Sequence, residues 1–430
     1  MVKTPIKCYF DRVMKKYDVI VIGGGAAGLM AAGAAANKGA RVLVIEKNDS
    51  FGKKLLLTGG GRCNLTNQIF DTREFLAKFG DAGKFLSSTF SKFGVRETML
   101  FFELHGLDTK VEPGNRVFPV TDKSQDVLKV LTEYASFNGK TEFLYNTKVL
   151  GLKKTGKKIT AVETDKGDFE AYNFILTTGG KSHPETGSTG DGFEWLTKLG
   201  YNLNIPEPIL VPITTKEKWV ADLSGIALDM AGINVFQNGE KILTKKGKVL
   251  FTHFGLSGPG ILNMSKAIGD ALKNGEVLVK IDLMPGVGLD KIDEEFLAGL
   301  QKQNKKKLAN FSWSVFTTSL WNQILLLTKI SGDKKTNELT KEERFKIINI
   351  IKALTLTVTG RLGADKAIVT SGGVRPEDVD FKTMRSLLTP NLFFAGDILD
   401  FDRPSGGFSL QLCWTTGFVA GESAGQEFVE

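Results

Sequence analysis

The sequence predicts an α/β protein whose parallel sheet is assembled from both ends of the chain, with a β-rich segment and a helical segment inserted between them. Three observations carry this prediction. Residues 17–48 read as strand, glycine turn, helix, strand and terminal acid. Residues 391–424 supply a second strand ending in a glycine and an acid, followed by a helix of small residues. Between these ends the texture changes twice, to short alternating strands from residue 201 and to lysine-rich helix from residue 289.

The opening stretch is YDVIVIGGGAAGLMAAGAAANKGARVLVIEKN. Val19, Ile20, Val21 and Ile22 form the continuous apolar run of a strand buried on both faces. Gly23, Gly25 and Gly28 fill G-x-G-x-x-G: the first for a tight turn, the second for close approach to a pyrophosphate, the third for helix–strand packing. Amide groups at the start of the following helix then face the phosphates, where the helix dipole favours negative charge. Residues 41–45 form the second strand. Glu46 ends it 18 residues after Gly28, where an acid meets a ribose hydroxyl pair. A glycine turn alone is a common loop. With strand, helix and acid in place it specifies a dinucleotide site in a Rossmann-like unit, without saying which dinucleotide.

A chain of 430 residues exceeds one simple core, so two or three domains are expected. Its 48 glycines cluster in a few loops, which suggests backbone pressed against a ligand. The net charge of +8 permits an acidic partner. The lysines are scattered, however, Lys305–Lys307 reads as a solvated helix end, and no basic run carries interleaved aromatics, so nucleic acid is not the expected partner. Cys8, Cys63 and Cys413 stand apart, which argues against a disulfide framework or a redox dithiol and fits a reducing, cytoplasmic compartment. No metal is expected. Residues 1–16 mix charged and apolar residues, unlike a signal peptide, and are read as an extension before the core. Residues 19–36 are broken by glycines and residues 310–330 by Ser, Thr, Asn and Gln, so neither reads as a membrane span.

After Glu46 a loop without either periodicity leads to Lys53, Lys54 and TGGGRCNLTN at residues 58–67. Three successive glycines before Arg62, Cys63 and Asn64 look like backbone wrapped over a flat ligand. Residues 75–106 read as helix, residues 110–120 as a short strand, and residues 122–138 as an amphipathic helix. Residues 142–145 should return to the parallel sheet. Residues 148–154, 159–164 and 168–170 alternate like a small antiparallel meander. Residues 172–178 are another buried strand, ending at Gly179 and Gly180. The loop KSHPETGSTGDG precedes a helix at residues 193–199. Pro206, Pro208 and Pro212 mark the entry to the β-rich segment, which contains FTHFGLSGPGIL at residues 251–262. Residues 354–358 lead back, and residues 367–371 and 392–395 resume buried strands. The sheet-forming domain is therefore placed at residues 1–200 and 355–430, around a β-rich domain at 201–285 and a helical module at 286–354.

The C-terminal return selects among dinucleotides. NLFFAGD at residues 391–397 and the helix opened by GGFSLQLCW resemble the arrangement of FAD proteins, and no second G-x-G-x-x-G unit is present. Asp397 would accept hydrogen bonds from the ribityl chain or from pyrophosphate-bound water. The helix N-terminus would point its positive end at the flavin pyrimidine, which becomes anionic on reduction. FAD is thus expected over NAD.

LLLTGGGRCNLTN, TTGGKSHPETGSTGDG, LFTHFGLSGPGIL and VTSGG…NLFFAGDILDFDRPSGGFSLQLCWTTGFVAGESA, in that order, resemble the BaiN-type (also called YhiN-type) family of bacterial NAD(P)/FAD-dependent oxidoreductases, over nearly the whole chain from Tyr17. The resemblance implies a two-dinucleotide-binding-domain flavoprotein fold with a β-rich insert and a helical module. Activities assigned to members include aminoacetone oxidation and bile-acid double-bond reduction. Carried over position by position, it puts Gly23, Gly25, Ala26, Ala27 and Gly28 on the pyrophosphate, and Glu46, with Lys47 beside it, on the AMP ribose. Lys54, Leu55, Thr58, Gly59, Gly60, Arg62, Cys63 and Asn64 would line the ribityl–isoalloxazine face. The backbone of Val149 would meet adenine, and Thr178, Gly179 and Gly180 would close the adenosine side. Gly396, Asp397, Gly407, Phe408, Ser409, Leu410 and Gln411 would hold the flavin end.

In such a protein the flavin performs hydride transfer at N5, and the chain supplies orientation and electrostatics. His253, in the glycine-dense loop outside the FAD-binding halves, is the expected substrate-side acid or base; its alternative role is to cap the helix at residues 258–269. Arg62 is expected as a cation near the flavin or an acidic substrate, or as a loop ion pair. Cys63 is expected as a flavin-proximal thiol activated by Arg62, or as packing against the ring. His183 and His105 are weaker candidates, and Glu112 and Arg116 read as structural. The leading expectation is an FAD-dependent oxidoreductase of a small organic substrate, exchanging electrons with NAD(P)H or oxygen. The alternatives are an FAD-dependent tRNA-modifying enzyme, which needs a broad basic face and a folate site, and a non-catalytic flavin-binding or redox-sensing protein.

Overall fold

Tyr17–Ile22 takes the centre of a parallel sheet because it is apolar on both faces, with Val19, Ile20 and Val21 fully buried. The computed structural model describes residues 17–313, 316–363, 365, 367 and 369–426, so the expected extension at residues 1–16, with Cys8, lies outside the described residues. The chain divides into two compact units, Met1–Glu207 with Thr370–Glu430, and Pro208–Val369.

In the first unit Tyr17–Ile22 pairs in parallel with Val42–Ile45 on one side and Gly167–Leu176 on the other. Thr141–Leu144 extends the sheet past Val42–Ile45, and Leu392–Phe394 extends it past Gly167–Leu176, both in parallel. The two ends of the chain therefore share one sheet. The meander strand and the buried strand expected at 168–170 and 172–178 are one continuous strand, Gly167–Leu176. Its first half pairs antiparallel with Lys158–Thr164 and its second half joins the parallel sheet. Burial along it changes from alternating to continuous at Asn173, which is why the pattern splits it in two.

Three further segments differ from expectation for local reasons. Residues 75–106 break into Thr72–Ala77, Ser87–Phe90 and Val95–Leu104 around a 3-10 stretch at Gly80–Leu86. The breaks fall at Gly80, with φ +61°, and at the extended Gly94. The strand expected at 110–120 is a hairpin, Thr109–Glu112 with Arg116–Pro119. The loop after Glu46 contains a helix, Lys53–Leu57, too short to show a period.

The helix Ala26–Asn37 meets the C-terminal helix Phe408–Gln426 backbone to backbone. A Cβ on Gly417 would stand 2.6 Å from the carbonyl oxygen of Ala27, one on Gly421 2.2 Å from that of Ala31, and one on Gly425 2.9 Å from the Cα of Ala35. Glycines four residues apart lie on one face of a helix. The stripe thus lets the two helices come closer than any side chain would permit.

In the second unit six antiparallel strands close a barrel, in the order Ile213–Thr215, Gly255–Ser257, Glu240–Thr252, Ala227–Gln237, Val277–Asp282 and Leu354–Arg361. The last of these, expected to lead back to the parallel sheet, pairs instead with Val277–Asp282 and Ile213–Thr215. Alternate residues such as Val277, Val279, Ile281, Leu354 and Leu356 fill the interior. Helices Leu289–Lys302, Thr318–Thr328 and Lys341–Lys352 contribute Phe296, Trp321 and Ile347 to the same core. No helix among the described residues is long and apolar enough to cross a membrane.

Candidate cofactor site

The glycine turn after Tyr17–Ile22 shows why it needs glycine. Gly23 has φ +106°, and a Cβ on Gly28 would stand 1.9 Å from the Gly23 carbonyl oxygen. Gly25 differs: a Cβ there would meet no atom within 4 Å. It caps helix Ala26–Asn37 without a side-chain hydrogen bond, and the first turn, including Ala26 and Ala27, carries no acid. The first N–H groups of a helix have no intrahelical partner, so this end is an open, positively polarised cradle.

Glu46 closes the far side of the turn and is buried. Its Oε2 accepts from the Gly24 N–H at 2.8 Å, and its Oε1 accepts from the Asn48 N–H at 2.9 Å and from Asn48 Nδ2 at 2.8 Å. Lys47 donates to Thr189 Oγ1 at 2.6 Å and to Asp191 Oδ2 at 2.8 Å, and Asn48 Nδ2 donates to the Thr186 carbonyl at 3.0 Å. These bonds strap the loop after Gly167–Leu176 across the acid. Burial pushes the Asp191 carboxyl up, but the hydrogen bonds from Lys47 and Thr189 outweigh it and hold it below the ordinary range. Thr147 N–H donates to the Glu46 carbonyl at 3.0 Å, which sets the buried Val149 beside the same end of the sheet. Thr178 carries a buried Oγ1 with no hydrogen-bond partner. It is followed by Gly179 at φ +72° and by Gly180, whose Cβ would stand 2.2 Å from Thr370 Oγ1.

The segment expected at the flavin end begins with Lys54 and Leu55 on helix Lys53–Leu57, where the Thr58 hydroxyl donates to the Leu55 carbonyl at 2.6 Å. Gly59, Gly60 and Gly61 all have positive φ, and a Cβ on Gly60 would meet nothing within 4 Å. Cys63 follows with φ +61° and is fully buried. Desolvation pushes its thiol up to about 12, so it is neutral rather than activated by its neighbour. Arg62 is committed elsewhere: Nε donates to Asp122 Oδ1 at 2.8 Å, a further nitrogen pairs with Glu112, and the guanidinium lies 4.2 Å from the Phe118 ring centroid. Asn64 accepts from the Gly407 N–H at 3.0 Å and donates to the Val117 and Thr66 carbonyls, with its amide oriented to satisfy both sides.

From the C-terminal side come Gly396, Asp397 and the helix Phe408–Gln426. Lys54 Nζ donates to Ser182 Oγ at 2.5 Å and to Asp397 Oδ2 at 3.3 Å, while Arg403 pairs with the other carboxylate oxygen. Burial drives the Asp397 carboxyl up, but the two cations prevail and hold it below the usual range. Ser409 accepts from Arg403 Nε at 3.1 Å. Phe408 and Leu410 are buried in the core of the unit. The Gln411 side chain is fully buried. It accepts from Thr66 Oγ1 at 2.6 Å and donates to Thr98 Oγ1 at 2.8 Å and Thr415 Oγ1 at 3.0 Å, so its amide is spent inside the protein. Arg403, Ser182, Asn48 and the strap at residues 186–191 join the site without having stood out in the sequence. Ser182 and the strap are tied to Lys54, Lys47 and Asn48 from more than 120 positions away, which no local pattern signals, whereas Arg403 bonds Phe401, Asp397 and Ser409 within its own loop.

The histidines separate. His105 bonds the Phe101 carbonyl through Nδ1 at 2.7 Å, and His183 pairs with Glu185 through Nδ1 at 2.8 Å. His253 lies in the second unit, exposed on the turn between Glu240–Thr252 and Gly255–Ser257, with its ring edge-on to Phe254. The following helix is capped by Gly258, not by His253.

The donor set suits a dinucleotide. An uncapped helix N-terminus with open space above Gly25 suits a pyrophosphate, and a buried carboxylate suits a ribose. No group of three His, Cys, Asp or Glu among the described residues is placed to hold a metal ion.

The model of the HI0933-like protein Rossmann domain matches residues 17–423. The 3-dehydro-bile acid delta(4,6)-reductase of Clostridium scindens is 31% identical over 409 residues, 94% of this chain and 98% of the relative. The ribosomal RNA dihydrouridine synthase of Escherichia coli K12 is 26% identical over 411 residues, 95% of this chain and 98% of the relative. Among solved structures, 3-ketosteroid delta1-dehydrogenase from Sterolibacterium denitrificans superposes with a TM-score of 0.51 at 14% identity, over 95% of this chain and 99% of that one. The E. coli quinol fumarate reductase subunit FrdA superposes with a TM-score of 0.52 at 17% identity, over 95% and 70%. These two show the fold. By the match over residues 17–423 and the near-full-length relatives, the chain belongs to the HI0933-like family of Rossmann-type flavoproteins and so to the FAD-dependent oxidoreductases.

Proposed function

We propose that this protein reduces a carbon–carbon double bond conjugated to a carbonyl in a small organic substrate, with NAD(P)H as electron donor. The observation that carries it is the likeness, over 94% of the chain, to a relative named as a bile-acid delta(4,6)-reductase. Bound FAD would supply the two-electron exchange. The chain's own groups do the rest. The N–H groups after Gly25 would hold the pyrophosphate and Glu46 the ribose, beside the Lys47–Asp191 strap. Asp397 and the first turn of Phe408–Gln426 orient the flavin end. The rings of His105 and His183 are tied to their own turns, and His253 belongs to the second unit, so no histidine is assigned the proton transfer. Cys63, neutral and buried, and Arg62, paired with Glu112 and Asp122, serve the loop rather than proton transfer.

The test is anaerobic. The flavin is bleached with NADH or NADPH, then mixed with conjugated enones or with their saturated ketones. Reoxidation by enones alone is expected. Equal, slow reoxidation by both classes would sink the proposal, and failure of both nucleotides to bleach would exclude them as donors.

A second reading has its own support. Two relatives carry the name ribosomal RNA dihydrouridine synthase, and Lys241, Lys245 and Lys246 are exposed on one barrel strand. Uracil's ring double bond is also conjugated to a carbonyl, so the chemistry is shared and only the carrier differs. Loss of dihydrouridine from ribosomal RNA on deletion of the gene would favour this reading; unchanged RNA would leave the small-molecule substrate.

A further inference from the structure

The most unusual charged group in the first unit is an arginine with 0% of its side chain exposed. Arg403 donates through one terminal nitrogen to Asp397 Oδ1, through the other to the Phe401 carbonyl, and through Nε to Ser409 Oγ at 3.1 Å. It thereby ties the acid at the end of Leu392–Phe394, the connecting loop and the first turn of the C-terminal helix into one fork. Lys54 reaches the remaining Asp397 oxygen at 3.3 Å from outside, its side chain 24% exposed.

Two cations thus face a single carboxylate. Arginine keeps its charge at any working pH, and a buried charge without full compensation is costly to a fold. The same turn is a helix N-terminus, whose dipole adds further positive character. A structure that bears this arrangement gains from an anion completing it. On the FAD reading, the group that develops negative charge at this end is the flavin itself, since hydride transfer from a dihydronicotinamide adds two electrons and one proton to it and leaves it one charge more negative, while the donor becomes the oxidised nicotinamide.

We propose that Arg403, acting through Asp397 and together with Lys54, is a positioning residue that keeps the flavin end of the site positively charged and so favours the reduced flavin. The proposal rests on the FAD reading above. It assigns Arg403 no contact with substrate.

The test compares midpoint potentials of the FAD-loaded wild type with those of R403M, R403K and K54M, by equilibration with a reference dye. R403M and K54M each remove one cation. Each is expected to lower the ratio of reduced to oxidised flavin at a fixed potential about tenfold, equal to about 30 mV for a two-electron couple. R403K keeps the charge and is expected to stay within about threefold of wild type, a shift under about 15 mV on the same scale. Wild-type potentials in R403M and K54M would overturn the proposal. So would an R403K shift as large as that of R403M, because geometry and not charge would then be acting. Should R403M fail to fold or load, K54M decides alone. Loss of flavin from folded R403M and K54M alike would also overturn it, since the cluster would then anchor rather than tune. A wild type that takes up no flavin would instead overturn the FAD reading beneath it.

Discussion

Gly421 of the C-terminal helix rests on the backbone of Ala31 in the helix after the glycine turn: a Cβ on Gly421 would stand 2.2 Å from the Ala31 carbonyl oxygen. Through this contact and its neighbours at Gly417 and Gly425, helix Phe408–Gln426 is held in register with helix Ala26–Asn37. The end of the chain thereby places its helix against the motif at the beginning. G421A should push the helices apart and cost about 1–3 kcal/mol, the usual price of overpacking a tight core. Denaturant unfolding of the flavin-free protein measures it; an unchanged midpoint would mean the helices do not meet as described.

The second and third glycines of the motif should respond differently. G28A sets a Cβ 1.9 Å from the Gly23 carbonyl, whereas G25A sets one in open space. G28A is expected to lose stability with and without flavin, by about 1–3 kcal/mol or more. G25A is expected to keep the apoprotein melting temperature but to bind FAD at least about tenfold more weakly, roughly 1.4 kcal/mol. Flavin titration alongside melting separates the two effects.

Glu46 is a structural acceptor as well as a candidate ribose ligand. E46Q replaces an oxygen that accepts from Gly24 or Asn48 with an amide donor, leaving a buried N–H unpaired. A stability loss of about 1–3 kcal/mol is expected in the apoprotein. The readout is urea unfolding before any flavin is added.

Asp397 sets an acid-side pH dependence. Arg403 and Lys54 hold its carboxyl below the ordinary range against the opposing effect of burial. A depressed folded value stabilises the protein above the unfolded value, about 3.9, and that contribution is lost as pH falls through the folded one. In D397N the loss of stability below about pH 4 should therefore be shallower than in wild type. Urea midpoints taken across acid pH will show whether the slope changes.

Cys63 and Cys413 set the opposite limb. Burial pushes both thiols up to about 12. Their contribution is intact below the unfolded value, about 8.5, and is lost as pH rises towards the folded one. Both are expected to resist a thiol reagent at pH 8 in the native protein and to label fully in denaturant, as peptide mapping would reveal. Rapid native labelling of Cys63 would reopen a role for it as a reactive thiol.

The α/β class was legible because it is written in contiguous residues. The apolar run at Val19–Ile22, the glycine spacing and the acid at position 46 each act within one strand–turn–helix, where sequence order and spatial order coincide. Errors came where that coincidence fails. Gly167–Leu176 serves two sheets and so shows two patterns. The strand at Leu354–Arg361 reads as apolar alternation whichever sheet it joins, and only its pairing with Val277–Asp282 and Ile213–Thr215 places it in the barrel.

For the candidate site, residue types at the turn and in the TGGGRCN loop could be read directly, but their commitments could not. Arg62 beside Cys63 suggests an activated thiol on paper; in three dimensions Asp122 and Glu112 take the guanidinium and the thiol is buried beneath the loop. Gln411 reads as a polar group for a ligand, yet Thr66, Thr98 and Thr415 consume it. By itself the sequence determined the fold class, the glycine turn and the acid that closes it, since these follow from backbone sterics and periodicity over a few residues. Tertiary structure alone decided the Lys54–Asp397 bond, which spans 343 positions and adds a second cation to the local Asp397–Arg403 pair. The reason is physical: a charge pair is set by distance through space, and the parallel sheet that joins Leu392–Phe394 to Tyr17–Ile22 through Gly167–Leu176 brings the two ends of the chain together without a local pattern that links Lys54 to Asp397.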